Sequence, residues 1–314
     1  MTPQLDASGR LRHLLTLANL PRPVLERLLD RARDLLAHAQ DGTTLRATLA
    51  GQAVCTLFFE PSTRTRSSFQ LAAARLGADT LSFDASTSST KKGETAADTL
   101  RTLEAMGVHG FVVRHPDDGA VAALAEVAGP GTVLVNAGDG RHEHPTQGLL
   151  DMLTLRQAKG TDFSRLKVLI VGDVRHSRVA RSDLHALRTL GAGTIRVCGP
   201  EGLLPDVGEL SDCHVSGDLD TALEGVDVVM LLRLQRERMQ AGLVSSLQDY
   251  HRDFGLTAAR LRRTAPDAIV MHPGPMNRGV EIDAEVADGP QSRILAQVAN
   301  GVAVRMAVLE ELLG

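Results

Sequence analysis

The 314-residue chain has few lysines, few cysteines and no long apolar run. Its 34 Lys and Arg against 38 Asp and Glu give a net charge of −4, so no general positive field is available to hold a nucleic-acid backbone or an anionic membrane. Its three cysteines are far apart in apolar stretches, which favours neither a disulfide framework nor a zinc site. No run of roughly 18 apolar residues offers a membrane span, and the first residues lack the apolar core of a signal peptide. We therefore expect a soluble, cytoplasmic protein that binds neither nucleic acid nor membrane.

Lysine is the rarest charged residue, with four lysines against thirty arginines. Two of the four, Lys91 and Lys92, are adjacent in the polar segment DASTSSTKKGET at 84–95, which is typical of an exposed loop. Compact ammonium groups on such a loop suit two functions: closing over an anionic substrate, or reaching into a neighbouring subunit. A solvated loop without a function is the alternative.

The length and the 43% of hydrophobic residues predict two domains, each with its own core. Short apolar runs alternate with helical stretches, which is typical of parallel sheets flanked by helices. The fold class is therefore α/β, with two mostly parallel sheets and a bridging helix. Predicted strands are 53–59, 80–83, 110–114, 132–136, 167–171, 194–198, 226–232 and 268–271; predicted helices include 23–39, 145–159 and 294–313. We expect domains at 1–144 and 145–293, with the helix 294–314 packing back on the first.

An anion site is predicted where the first strand leads into Ser62-Thr63-Arg64-Thr65-Arg66. The strand's carboxyl end meets a helix N-terminus there, and the first-turn N–H groups of a helix have no internal partner and carry partial positive charge. Three hydroxyl groups and two guanidinium groups add charge-assisted donors for a phosphate. An ordinary N-cap with solvent-facing arginines is the alternative.

Further polar residues fall at the ends of predicted strands, where an open parallel sheet binds its ligand. Arg114 ends one strand, and His144 and Gln147 flank the start of the bridging helix. A strand-end arginine paired with a carboxylate, and a histidine that caps a helix or lies in the core, are the alternatives. His142 and His144 flank Glu143, but two histidines without a further spaced ligand do not predict a metal site.

The second half repeats this pattern with arginines. A strand ends in Val171-Gly172-Asp173, and the arginine-rich segment 175–182, which includes Arg178, starts a helix. Because this segment lacks the G-x-G-x-x-G spacing of a dinucleotide site, we interpret it as a carboxylate site. Arg233 ends another strand, and Gln235 lies on the same side of an extended chain. The last strand ends in the rigid turn 272–275, whose carbonyl groups suit an N–H₂ group.

With these motifs the sequence resembles the aspartate branch of the aspartate/ornithine transcarbamylase family over nearly its whole length. Ser62 to Arg66 and His144-Pro145-Thr146-Gln147 are similar to motifs that all transcarbamylases share. Residues 91–95, 233–235 and 272–275 resemble the aspartate branch, whereas the Ser-Met-Gly loop and His-Cys-Leu-Pro turn of the ornithine branch do not occur. Two residues depart from the pattern: Val179, where some members have Thr, and Gly274, where others have Leu.

The resemblance implies an activity: transfer of the carbamoyl group of carbamoyl phosphate to the amine of L-aspartate, giving N-carbamoyl-L-aspartate and phosphate in pyrimidine biosynthesis. It implies no metal and no organic cofactor, and it assigns carbamoyl phosphate to the first domain and aspartate to the second. The departing phosphate is the expected proton acceptor. Alternatives are a carbamoyltransferase for another amino acid and a non-catalytic scaffold or regulatory relative. Association with regulatory chains or with a dihydroorotase stays open.

The resemblance also implies a part in the reaction for each matched residue. Phosphate is bound by Ser62, Thr63, Arg64, Thr65 and Arg114, with Ser88 and Lys92 entering from the adjacent subunit of a homotrimer whose active sites are shared. The carbamoyl oxygen is polarised by Thr65, Arg114 and His144, and the carbamoyl N–H₂ is held by Gln147 and the carbonyl groups of Pro273 and Gly274. The aspartate carboxylates are held by Lys92, Arg178, Arg233 and Gln235. The implied catalytic set is Arg64, Thr65, Lys92, Arg114 and His144.

Overall fold

The computed structural model describes residues 4–41, 45, 48–84, 94–206, 208–234, 242 and 245–314. The chain forms two compact units, unit 1 from Met1–Leu153 with Ala299–Gly314, and unit 2 from Thr154–Val298. Each unit contains one parallel sheet with helices, so the predicted α/β class is confirmed. The division between the units lies inside the helix predicted at 145–159, not at its first residue, and a second division lies inside the helix predicted at 294–313.

Strands and helices largely alternate along the described part of the chain. The strands are β1 Ala53–Phe58, β2 Asp79–Asp84, β3 Gly110–His115, β4 Val133–Asp139, β5 Lys167–Val171, β6 Thr194–Cys198, β7 His214–Ser216, β8 Val228–Leu231 and β9 Ile269–Met271. The helices are α1 Arg22–Asp34, α2 Leu36–Asp41, α3 Thr63–Arg75, α4 Ala96–Ala105, α5 Ala120–Val127, α6 Pro145–Lys159, α7 Arg178–Leu190, α8 Leu219–Ala222, α9 Leu247–Phe254, α10 Ala258–Leu261, α11 Ala284–Ala287 and α12 Ile294–Leu313.

In unit 1 the strands lie in the order β2-β1-β3-β4, all parallel. β1 is buried after Ala53, and Gly110 to Val113 of β3 are buried as well, as expected for strands covered on both faces. β4 extends beyond the predicted strand to Ala137, Gly138 and Asp139. Buried Asn136 donates to Leu15 O at 2.9 Å and to Asp139 Oδ1 at 2.7 Å. These bonds satisfy the buried amide and let the strand continue.

The predicted helix 23–39 is interrupted at Leu35, which separates α1 from α2. The hydrogen bonds from Leu35 N to Arg31 O and from Ala39 N to Leu35 O continue across the interruption, so the buried face of the predicted helix is kept. α12 packs on α1 within unit 1: Arg31 pairs with Glu310 at 2.5 Å, and Arg27 pairs with Glu311 at 2.7 Å.

In unit 2 the sheet order is β7-β6-β5-β8-β9, again all parallel. β5, β6, α6 and α12 match their predicted ranges residue for residue. β7 is a short strand at the edge of the sheet with two exposed residues, and it has no apolar run to predict it.

The cores of both units lie against their sheets. Cys55 and Cys198 are fully buried there, and burial raises the pKa of each thiol to about 12. Cys213 is partly buried, and all three are free thiols. In the described part of the chain, no helix combines the length and the apolar character that crossing a membrane requires.

Candidate active site

The predicted anion turn joins β1 to α3. Ser62 precedes α3 in an extended conformation (φ −160°, ψ 95°), and its side chain makes no capping hydrogen bond. The Ser62 side chain therefore does not cap α3, and its hydroxyl does not occupy the first-turn N–H groups of the helix. Arg64 is exposed and Thr65 is buried. Arg66 lies over the ring of Phe58 at 5.3 Å, so this guanidinium packs on the end of β1.

Arg114 lies at the same edge of the sheet, since it is in register with Phe58 on the neighbouring strand. Its Nη2 donates to Glu60 Oε1 at 2.6 Å, and its Nη1 donates to Ala137 O at 3.3 Å. The alternative of a strand-end arginine paired with a carboxylate is thus confirmed. The pairing is compatible with the predicted role, because Glu60 holds the guanidinium beside the anion turn.

The segment between β4 and α6 carries His144, which is 5% exposed. Asp139 organises this segment by accepting hydrogen bonds from Gly119 N at 2.9 Å and Glu143 N at 3.2 Å. Burial opposes ionisation of Asp139, but hydrogen bonds from His142 and Asn136 lower its pKa; the bond to Asp139 raises the pKa of His142. These contacts fix the loop just before His144.

Gly140 in this loop has no room for a side chain. Its φ is +46°, and an added Cβ would lie 1.9 Å from Asp118 Oδ1. Glycine adopts such a backbone without strain, so it lets the loop close against Asp118 before α6 begins. Among the described residues, no group of three or more His, Cys, Asp or Glu is placed to hold a metal ion.

Unit 2 gathers its predicted residues at the ends of three adjacent strands. Arg178 is the first residue of α7, after β5, and Ser177 caps this helix by accepting from Ala180 N at 3.1 Å. Arg233 is exposed and follows β8, whose Leu231 is in register with Val171 of β5. Arg178 and Arg233 therefore lie at one edge of one sheet, as two carboxylate-binding arginines require.

The turn after β9 is held by a buried hydrogen-bond network. Gly274 N donates to His272 Nδ1 at 2.8 Å, so the ring proton is on Nε2, which lies 3.2 Å from Glu281 Oε1. Glu281 also accepts from Asn277 N at 2.5 Å, and Asn277 Nδ2 donates to Leu234 O at 3.0 Å. The network therefore fixes the turn after β9 together with Leu234, which directly follows Arg233.

The backbone conformation explains why position 274 is Gly where other family members have Leu. Its φ of +65° lies in the left-handed region, which glycine adopts without a steric penalty. Three predicted residues, Ser88, Lys92 and Gln235, lie outside the described residues, and their roles stay predictions.

Two family models together match most of the chain. Residues 12–157 match the model of the aspartate/ornithine carbamoyltransferase carbamoyl-P binding domain, and residues 164–312 match that of the Asp/Orn binding domain. The chain belongs to the aspartate/ornithine carbamoyltransferase family. The second family model includes α12, although residues 299–314 group with unit 1 in the structure.

Relatives with names from this family cover the full length. The chain is 73% identical over 312 residues to the aspartate carbamoyltransferase catalytic subunit of Stenotrophomonas maltophilia, covering 99% of each. It is also 73% identical over 313 residues to that of Xanthomonas axonopodis pv. citri, covering 100% of this chain and 99% of the relative.

Solved structures of family members have the same fold. Aspartate transcarbamoylase from Trypanosoma cruzi in complex with carbamoyl aspartate and phosphate gives a TM-score of 0.87 at 31% identity, covering 100% of both chains. Ornithine carbamoyltransferase from Thermus thermophilus gives 0.84 at 28% identity, covering 96% of this chain and 99% of that one.

The network around Glu281 in this family member gives a stability prediction. Glu281→Gln replaces one carboxylate oxygen by an N–H₂ donor, which then faces other donors in a buried place. We expect the free energy of unfolding in urea to fall by about 1–3 kcal/mol. Glu285→Gln, at an exposed position nearby, is the matched control and should unfold like the original chain. Equal stability of both variants contradicts the role of the network.

Proposed function

We propose that the chain is a transferase that moves the carbamoyl group of carbamoyl phosphate to the amine of L-aspartate, giving N-carbamoyl-L-aspartate and phosphate. The observation that carries the proposal is the different chemistry of the two sheet edges. The edge in unit 1 has an anion turn with Arg114 and His144 nearby in the fold, and the edge in unit 2 has two arginines and, after β9, a turn that offers backbone carbonyl groups as acceptors. Full-length identity of 73% to relatives named as aspartate carbamoyltransferase catalytic subunits supports it.

Unit 1 activates carbamoyl phosphate in this proposal. Ser62, Thr63, Arg64 and Thr65 bind the phosphate at the N-terminus of α3, where backbone N–H groups and partial positive charge favour a dianion. Thr65, Arg114 and His144 donate to the carbamoyl oxygen, and these donors strengthen as negative charge develops on it. Burial of Thr65 and His144 strengthens these interactions, because water competes less for the same donors.

Unit 2 binds the acceptor amino acid. Arg178 and Arg233, with Gln235, hold the two carboxylates of L-aspartate, and the carbonyl groups of Pro273 and Gly274 accept from the carbamoyl N–H₂. The aspartate amine attacks the carbamoyl carbon, a C–N bond forms, the C–O bond to phosphate breaks, and the amine proton goes to the departing phosphate. Positioning of two anions and stabilisation of the oxyanion together supply on the order of 10 kcal/mol.

The proposal also includes the oligomeric state, the cellular compartment and the pathway of the enzyme. The active site is shared in a homotrimer, with Ser88 and Lys92 of one subunit completing the site of the next, and the enzyme works in the cytoplasm in pyrimidine biosynthesis. The polar composition of 84–95, with its lysine pair in a chain that otherwise uses arginine, supports an anion-binding role for that segment. Neither a metal nor an organic cofactor takes part in the proposed reaction.

Release of phosphate from carbamoyl phosphate, measured with and without amino acids, tests the activity. We expect rapid release with L-aspartate and little release without an acceptor. L-ornithine is the informative control, because the fold is shared with ornithine carbamoyltransferases. Equal release with L-ornithine supports the alternative of another amino-acid acceptor, and no release with any acceptor supports a non-catalytic relative.

The assignment of Arg233 predicts a split between the two substrates. Arg233→Ala removes a charge-assisted bond to an aspartate carboxylate, so the KM for L-aspartate should rise by about 10- to 100-fold, while the affinity for carbamoyl phosphate changes little. Arg252→Ala in the same unit is the matched control, because the Arg252 side chain is 67% exposed. A similar loss for both substrates in Arg233→Ala indicates a folding defect and contradicts the assignment.

A further inference from the structure

A buried carboxylate lies one helical turn after Gln147 on α6. Gln147 Nε2 donates to Asp151 Oδ1 at 3.0 Å and lies 3.2 Å from Oδ2. Gln147 is 8% exposed and Asp151 is fully buried. The spacing of four residues places the two side chains on the same face of the helix, so the contact is local and directional.

Asp151 has a buried cationic companion. Arg305 of α12 is 5% exposed and interacts electrostatically with Asp151. Burial lowers the pKa of Arg305 to about 10, with Asp151 opposing that effect, so the guanidinium stays charged at neutral pH. The guanidinium lies 5.0 Å from the centre of the Phe69 ring on α3.

Gly301 provides the space for this guanidinium. An added Cβ at Gly301 would lie 2.5 Å from Arg305 Nη1 and 3.3 Å from Leu150 Cδ2. The charged pair therefore occupies a place formed by α3, α6 and α12 within unit 1. Such a pair is costly to bury.

The chemistry of the pair determines the orientation of the Gln147 amide. An ionised carboxylate only accepts hydrogen bonds, whereas a carboxamide has a donating and an accepting end. The nitrogen of Gln147 must therefore face Asp151, and its oxygen faces away as an acceptor. An amide or a protonated acid at position 151 allows the opposite orientation as well, since it can both donate and accept.

We propose that Asp151 is a positioning residue that keeps the Gln147 oxygen turned toward the carbamoyl N–H₂ and thereby makes the site select carbamoyl phosphate over acyl phosphates that lack this group. The inference rests on the proposed function, which places Gln147 at the carbamoyl N–H₂. Asp151 and Arg305 do not contact the substrate in this proposal. Asp151 determines which end of the Gln147 amide faces it.

Acetyl phosphate is the probe for this selectivity, because it carries a methyl group where carbamoyl phosphate has N–H₂. The dissociation constants of both compounds, measured by calorimetry without L-aspartate, give a selectivity ratio. We expect the ratio to fall by about tenfold in Gln147→Leu and by about threefold in Asp151→Asn. In the double variant the ratio should equal that of Gln147→Leu alone, because Asp151 acts only through Gln147.

Two further variants control for the effect of an unpaired buried charge and for an unspecific effect of a Glu→Gln change. Asp151→Asn leaves Arg305 as a lone buried charge, so Asp151→Asn with Arg305→Met removes both charges and should show the same threefold fall. Glu104→Gln is the matched control: Glu104 accepts from Gly129 N elsewhere in unit 1 at 2.8 Å, and its replacement should leave the ratio unchanged.

The possible outcomes distinguish a failure of the positioning role of Asp151 from a failure of the proposed function. A ratio that falls in Gln147→Leu but stays unchanged in both Asp151 variants overturns the positioning role and leaves the proposed function intact. A ratio that stays unchanged in Gln147→Leu overturns the assignment of Gln147 in the proposed function, and the positioning role with it. A merely structural role of Asp151 weakens both compounds equally and also leaves the ratio unchanged.

Discussion

Arg64→Ala should lower kcat/KM for carbamoyl phosphate by a factor of roughly 10² to 10³ or more while the protein stays folded. In the proposed site Arg64 supplies charge-assisted bonds to a phosphate dianion, and the anion gains charge as it departs. The side chain is exposed, so its removal leaves no cavity in the core. The measurement is initial rate against carbamoyl phosphate at saturating L-aspartate.

Arg22→Ala is the matched control for this result. Arg22 belongs to the same unit, its side chain is 52% exposed, and it pairs with Glu26 on the same helix, a kind of contact that contributes little. We expect its kinetics to match the original chain, and the melting temperatures of both variants to stay close to it. Near-normal turnover in folded Arg64→Ala contradicts the assignment of the phosphate site to Ser62–Arg66.

The second large effect is recovery of activity when two inactive variants are mixed. In the proposed trimer each site takes Arg64 from one subunit and Lys92 from the next, so homotrimers of Arg64→Ala and of Lys92→Ala should both be nearly inactive. After dissociation and reassembly of equal amounts, about a quarter of the sites combine an intact Arg64 with an intact Lys92 by random mixing. Activity should therefore rise to about a quarter of normal.

Mixing Arg64→Ala with His144→Ala is the control for this experiment. Both residues belong to the same unit of the same subunit, so every reassembled site carries one of the two changes and no activity should return. Subunit exchange is verified by mass-tagged chains. If exchange occurs and the Arg64→Ala and Lys92→Ala mixture stays inactive, the intersubunit role of Lys92 is wrong.

The parts of the fold that sequence predicts best are those whose residues carry a continuous local pattern. β5 is apolar and buried after Lys167, β6 buries Ile195, Val197 and Cys198, and α6 opens with proline at its first position, so each is bounded by its own residues. β7 has only three residues, at the edge of the sheet, and no periodicity marks it. The predicted strand 226–232 shortens to β8, although Val226 and Leu232 are also buried and Leu232 N still donates to Val171 O of β5.

The residues of the candidate site differ in the same way: some are recognisable from neighbouring sequence, and others depend on the packing of distant elements. Ser62–Arg66 is contiguous, and its chemistry can be recognised from the sequence. Glu60 could also have been found, since it is the acidic residue between a strand end and the turn. The pairing of Asp151 with Arg305 and of His272 with Glu281 depends on how separate elements pack, and no spacing rule relates these residues in advance. Sequence reasoning therefore finds residues that touch a ligand more readily than those that orient them.

The helix α12 has a consequence for the order in which the protein is completed during synthesis. Unit 2 is continuous in sequence, so it can fold as soon as residues 154–298 have left the ribosome. Unit 1 begins earlier but requires residues 299–314, which bring Arg305 onto Phe69 and pack against α1. The half of the molecule that contains the anion turn is thus translated first and completed last.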